Sequence, residues 1–166
     1  MTENQYLIRV SIGEQRLQLQ ENGRVVMDVA VATAANGPGE VMHSECTPRG
    51  RHRVRARIGD RCPVNTVFTG RRPTGEIFSR ALKAEHPGRD WILTRILWLC
   101  GEEPERNRLG QVDSMRRYIY IHGCPDEDPM GIPSSHGCVK MRNSEVIELF
   151  DRVPVGTPVI IQEAPL

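Results

Sequence analysis

Residues 5–12, QYLIRVSI, set Tyr6, Ile8, Val10 and Ile12 against Leu7, Arg9 and Ser11. That period of two predicts a strand with one buried face. QRLQLQ repeats the alternation with Leu17 and Leu19, and RVVMDVAVAT follows after Asn22-Gly23. Asn-Gly between two extended runs is a strong hairpin signal, because both residues tolerate positive φ. The first third of the chain therefore predicts an antiparallel meander, closed by the loop ANGPGE at 35–40.

CTPRGRHRVRARIGD alternates again, with Val54, Ala56 and Ile58 against Arg51, Arg53, Arg55 and Arg57. A basic strip of this kind suits nucleic acid. No aromatics interleave it, however, and the formal charge of the whole chain is +1. The favoured reading is a solvated strand face whose arginines protect a sheet edge; no nucleic-acid partner is expected. Residues 59–90 carry Pro63, Gly70, Pro73, Gly75, Pro87 and Gly88, which predicts a lid or long loop with short strands rather than a helix.

WILTRILWL and RRYIYIHG are rich in β-branched and aromatic residues and predict strands, with a polar connection between them. In VKMRNSEVIELFDRV, Asn143 or Ser144 can cap a helix whose buried side is Val146, Ile147, Leu149 and Phe150. Pro154 and Gly156 stop it, and TPVIIQ supplies a last strand. The sum is one mostly β domain over residues 1–166, with a short helix near its end and no repeats or linkers.

Length and composition agree with one soluble globular domain. The longest apolar stretch, Trp91 to Cys100, is broken by Thr94 and Arg95 and is too short to span a bilayer. The N-terminus MTENQYLIRV has no basic segment followed by an apolar core, so no signal peptide is expected. The chain as written reads as cytoplasmic, unless a leader precedes it. Five cysteines, Cys46, Cys62, Cys100, Cys124 and Cys138, leave at least one unpaired within the chain.

The chemistry concentrates in IHGCPDEDPMGIPSSHGCVKM, residues 121–141, where His-Gly-Cys occurs twice. His122, Cys124, His136 and Cys138 are zinc-ligand types, and a zinc-binding structural module is one reading. Single-residue His-x-Cys spacing fits a tetrahedral site poorly, so no metal is the favoured expectation. A Cys124–Cys138 disulfide is a second reading, as a reversible minor state. A cysteine nucleophile is the third and favoured one. It needs a thiolate near neutral pH, which a histidine and a following helix N-terminus can supply. Cys138, just before the capped helix, meets that need better than Cys124, which Pro125 and three acids follow. Gly137 allows a tight turn, and the amides of His136, Gly137 and Cys138 can hold an oxyanion. His122, at a strand end, is the favoured base, with His136 as the alternative.

The run Ser135-His136-Gly137-Cys138-Val139-Lys140-Met141, preceded by His122-Gly123, resembles the signature of the L,D-transpeptidase (YkuD-like) catalytic domain. RNSEVIELFDRVPVGTPVII, TPRGRHRV and VAVATAANGPGE are also similar to that family, so the likeness covers most of the chain. The resemblance implies a β-sandwich-like fold of mixed sheets and cysteine-dependent acyl transfer on peptidoglycan stem peptides, with no cofactor. It implies Cys138 as nucleophile, His122 as base, the Gly123 carbonyl orienting that imidazole, and Ser135 and His136 on the site wall. It also implies acylation by carbapenems and a substrate outside the inner membrane. Lys140 stands where the family usually has arginine, so Lys140 and Arg142 are both candidates for a substrate carboxylate. Cys124 replaces what is commonly a small hydroxyl residue. Transfer with release of D-alanine is the leading expectation, and L,D-carboxypeptidase trimming the alternative. Asp126, Glu127 and Asp128 could attract the incoming ammonium, although a solvated loop is the favoured reading of them.

Overall fold

The computed structural model describes residues 5–166; the first residues of the N-terminal segment read for a signal peptide, Met1–Asn4, lie outside the described residues. The predicted meander is present as β1 (Tyr6–Ser11), β2 (Arg16–Glu21) and β3 (Arg24–Ala30). Asn22 and Gly23 turn β2 into β3 with φ of 50° and 80°, the left-handed pair that a two-residue hairpin requires. Then come β4 (Gly50–Ile58), β5 (Thr66–Thr69), β6 (Arg72–Ile77), α1 (Arg80–Glu85), β7 (Ile92–Gly101), β8 (Tyr120–Gly123), β9 (Val139–Met141), α2 (Asn143–Arg152) and β10 (Pro158–Gln162).

Ten strands form one mixed sheet in the order β3-β2-β1-β10-β4-β7-β5-β6, with β8 on the other edge of β7 and β9 on β8. β1 with β10 and β8 with β9 are parallel; the remaining pairs are antiparallel. One core cluster joins Ile8, Leu19 and Ile161 from one half of the sheet to Ile121, Val139 and Phe150 from the other half and α2. The sheet therefore curls over itself, which gives the sandwich-like cross-section that two separate sheets would give.

The arginine strip departs from expectation in two ways. β4 lies between β10 and β7, so it is an interior strand and its arginines protect no edge. A bulge sets Val54 and Ala56 opposite the consecutive Leu99 and Trp98, which reverses the facing beyond it. Arg57 consequently turns inward, stacks 4.1 Å above the Phe150 ring and donates to the Phe150 carbonyl at 2.6 Å.

Residues 59–90 hold the β5–β6 hairpin and also the six-residue helix α1, where the sequence predicts no helix. Ser79 caps it, its Oγ accepting the Leu82 amide at 3.1 Å. RRYIYIHG yields a strand only from Tyr120, because Tyr118 sits at φ 57°. α2 follows Cys138 as predicted, but its N-cap is Arg142, without a side-chain capping bond. Asn143 is spent elsewhere.

Candidate active site

Alternation along β8 and β9 separates the core from the site. Ile121 pairs with Val139, and both enter the core. The residues one step away, Tyr120 and His122 on β8 and Cys138 and Lys140 beside them, face the opposite side. There Tyr120 and Cys138 pack with Phe68, Ile96 and Trp98. A cavity of about 490 Å³ opens over this face and is lined by His122, Cys138, Ser135 and His136 together with Arg71, Asp90, Arg117 and Tyr118. Cys138 and His122 thus share one cleft, delivered by two strands that are adjacent in space and separated in sequence by the 123–135 excursion.

His122 is buried, and its Nδ1 lies 2.6 Å from the Gly123 carbonyl oxygen. Nδ1–H donates to that carbonyl, which leaves the Nε2 lone pair for the cleft. Burial pulls the imidazole pKa below 6.5, against the pull of Gly123 and Asp90 in the other direction. The Cys138 sulfur accepts the Tyr120 amide at 3.3 Å and donates to the Tyr118 carbonyl at 3.3 Å. Burial pushes the thiol up to about 12, with Asp90 adding to the rise and the Tyr120 amide and Arg117 opposing it. Both shifts favour the uncharged forms, a thiol and an unprotonated imidazole, where the sequence reading expects a thiolate. The helix expected to assist the thiolate is not at hand: α2 begins at Asn143, beyond β9, so its N-terminus does not abut the sulfur.

The turn before Cys138 is held tightly. Gly137 has φ 131°, and a Cβ there would lie 3.1 Å from the Cys46 carbonyl oxygen, so glycine is required. Ser135 Oγ donates to the Cys138 carbonyl at 2.5 Å and accepts the Gly137 amide at 3.1 Å. The Gly137 amide is therefore committed to Ser135, which reduces the three expected oxyanion donors to His136 and Cys138. The His136 ring is exposed on the rim, 3.8 Å from Asp90.

Other expectations come apart at this point. Lys140 is buried in an ion pair with Asp128 at 2.9 Å and bonds Ser134, and Arg142 is exposed and does not line the cleft. The acids of 126–128 are all engaged: Glu127 with Lys83 and Arg80, Asp128 with Lys140, Asp126 with Asn143. Cys124 Sγ donates to the Met141 carbonyl at 3.3 Å. In the β8–β9 register Gly123 lies opposite Met141, so Cys124 is four residues along the ladder from the level of Cys138. That is roughly 13 Å at strand rise, and a disulfide needs Cα atoms within about 7 Å. All five cysteines are free. No three His, Cys, Asp or Glu side chains among the described residues are gathered to hold a metal, and the zinc reading has no geometric support.

The sequence reading gave Asn143 only as a candidate helix cap. It is buried, its Oδ1 accepts from Thr94 Oγ1 at 2.6 Å, and its Nδ2 donates to Cys124 O, Asn65 Oδ1 and Asp126 Oδ1. It ties β7, the 124–126 loop and the segment before β5 together directly behind Gly123. Thr94 meets it from φ 74°, beside a bulge in β7, a strained backbone for a β-branched residue. Arg71 and Arg117, the cations of the cleft, were also unforeseen.

With this geometry in place, comparison with known proteins is decisive for family. The L,D-transpeptidase catalytic domain (YkuD) family model matches residues 5–161. The chain belongs to the L,D-transpeptidase catalytic-domain family. A putative L,D-transpeptidase of Bacillus subtilis, YqjB, is 37% identical over 111 residues, covering 60% of this chain and 59% of its own. L,D-transpeptidase 3 from Mycobacterium tuberculosis shares the fold at a TM-score of 0.58 and 15% identity, over 96% of this chain and 61% of that one. The L,D-transpeptidase LdtMt1, solved in complex with imipenem, gives a TM-score of 0.56 at 17% identity, over 95% and 58% of the two chains. The L,D-transpeptidase domain here thus spans about three-fifths of the length of these relatives.

Proposed function

We propose that the protein is a cysteine acyltransferase acting on peptidoglycan stem peptides, with Cys138 as nucleophile and His122 as general base. The observation that carries the reading is the shared cleft face of β8 and β9, on which the His122 imidazole is oriented through Nδ1 by the Gly123 carbonyl. A neutral pair suits general-base catalysis. As the Cys138 sulfur attacks the diaminopimelyl carbonyl of a stem tetrapeptide, its proton passes to His122 Nε2. The amides of His136 and Cys138 stabilise the oxyanion. The C–N bond to the terminal D-alanine then breaks, and the His122 imidazolium returns the proton to the departing amine. The Cys138 thioester passes its acyl group to an amine of a second stem peptide: the C–S bond breaks as the new C–N bond forms, and His122 takes the amine's surplus proton and returns it to the departing Cys138 sulfur. Ser135 holds the turn, and His136 forms the rim.

The test is intact-protein mass spectrometry after incubation with a carbapenem, the class to which the imipenem bound by LdtMt1 belongs. One adduct per chain, lost in Cys138→Ala, is expected; absence of an adduct on the unmodified protein would sink the reading. Tetrapeptide supplied with excess acceptor then separates outcomes: cross-linked dimer marks transfer, and tripeptide alone marks L,D-carboxypeptidase activity.

A further inference from the structure

A stem tetrapeptide ends in a carboxylate a short way beyond the attacked carbon, and a cleft that prefers such a donor needs a cation with donors to spare. Neither Lys140 nor Arg142 supplies it, for the reasons of geometry given above. Two arginines line the cavity. Arg117 is half-buried and committed to protein: it donates to the Gly39 carbonyl at 3.2 Å, Ser44 Oγ at 3.3 Å and the Cys46 carbonyl at 2.6 Å.

Arg71 is different. It stands at the tip of the β5–β6 hairpin, where Thr69 pairs with Arg72 and the two turn residues have φ of 57° (Gly70) and 65° (Arg71). The turn carries the guanidinium across to the site, where it lies 4.7 Å from the Trp98 ring centroid and 4.8 Å from that of Tyr118. Among the described residues, its one side-chain hydrogen bond runs from Nη1 to Tyr120 Oη at 3.1 Å. No carboxylate among the described residues lies within ion-pair distance of it; Asp90, the acid of the cleft, is 3.8 Å from His136 instead. Tyr118 and Tyr120 are also the residues whose carbonyl and amide hold the Cys138 sulfur, so the guanidinium is fixed to the frame that positions the nucleophile. Held against two aromatic rings and lining the cavity, the planar fork has further N–H donors with which to meet a carboxylate in paired fashion.

We propose that Arg71 is the specificity-determining residue that binds the terminal carboxylate of the donor peptide; this rests on the acyl-transfer reading above. The full chain, Arg71→Gln and Arg71→Lys are assayed on a tetrapeptide with a free C-terminus and on its C-terminal amide. The unmodified protein is expected to prefer the acid by about 10- to 100-fold in kcat/KM. Arg71→Gln should bring that preference close to unity through loss on the acid alone, and Arg71→Lys should fall between. Equal losses on both substrates would make Arg71 a purely structural latch and overturn the proposal, as would a preference that survives Arg71→Gln. Binding of N-acetyl-D-alanine, followed by NMR shifts of Arg71 and Tyr120, needs no turnover. Binding of the acid but not its amide, abolished in Arg71→Gln, is expected; an unmodified protein that ignores the acid overturns the assignment. A protein that binds N-acetyl-D-alanine through Arg71 yet forms no carbapenem adduct would instead refute the acyl-transfer reading.

Discussion

The Cys138 sulfur donates to the carbonyl oxygen of Tyr118 at 3.3 Å. That bond needs the thiol proton, so it favours the neutral form, in the same direction as the burial that lifts the thiol to about 12. With the His122 pKa drawn below 6.5, the proposed acyl transfer would activate Cys138 only as the reaction begins. The rate of Cys138 acylation should rise with pH on an acid limb whose midpoint lies below 6.5, as His122 loses its proton, and then stay level to about pH 9. No thiolate absorbance should be seen at neutral pH. A bell-shaped profile with a neutral-pH thiolate signal would mean a preformed ion pair.

Gly123 has no positive φ; its need for glycine is spatial. A Cβ there would come within 2.4 Å of Asn143 Oδ1 and 2.6 Å of the Leu93 carbonyl oxygen. Gly123→Ala should cost about 3 kcal/mol in denaturant unfolding. Because the Gly123 carbonyl fixes the His122 ring, acylation of the folded fraction should slow by on the order of 100-fold. An alanine variant with normal acylation would show that the carbonyl does not position the base.

Asn143 separates two roles that one residue type can play. As a helix cap, its loss would cost about 1 kcal/mol, and Asp would serve nearly as well. As the buried hub seen here, Asn143→Ala should cost about 2–4 kcal/mol, since Thr94 Oγ1 and the Cys124 carbonyl lose their partner. Asn143→Asp should be no better, because it removes both donors and sets a second carboxylate against Asp126. Chemical denaturation of both variants decides, and a fully stable Asp variant would restore the cap.

Why Asn143 misleads is instructive for the whole chain. Local rules read β1 to β3 and their Asn22-Gly23 turn correctly, because alternation and turn chemistry act within a few residues. They also bring forward Cys138 and His122, whose motif is local and which line one cleft in the structure. They fail where long-range pairing decides. The bulge that turns Arg57 onto Phe150 is a property of β4 and β7 together. The partner of Lys140 is Asp128, across a loop. Arg71 reaches Tyr120 only because a hairpin folds back over the sheet. An isolated Gly70-Arg71 pair carries no sign of that, nor does Asn143 carry a sign of Thr94.

His52 supplies a pH effect independent of the active site. It is fully buried, with Nε2 2.8 Å from Ser114 Oγ and Nδ1 3.1 Å from the Gly50 carbonyl. Burial lowers its pKa from 6.5 to about 4. Between those values the unfolded chain binds more protons, so His52 removes stability as pH falls from 6.5 to 4 and contributes no pH dependence above 6.5. The loss amounts to about 3 kcal/mol over that window, and buried His122 acts in the same direction. His52→Gln should be less stable at pH 8 yet show a flatter decline through the acid window in urea titrations. An unchanged slope would place the protonation elsewhere.

Lys140 tests whether a cation close to Cys138 in the chain must serve the substrate. Its ammonium sits 2.9 Å from Asp128, with side-chain exposures of 11% and 23%, so the pair is largely withdrawn from water. Lys140→Met should destabilise the fold by about 2 kcal/mol, because Asp128 is left without its counter-charge. Adding Asp128→Asn should recover much of that loss, as the stranded carboxylate disappears. The preference for a free C-terminal carboxylate over its amide should be unaltered in the double variant, since that preference is assigned to Arg71. If instead the preference collapses while stability recovers, Lys140 releases Asp128 to meet the donor, and the burden on Arg71 is correspondingly reduced.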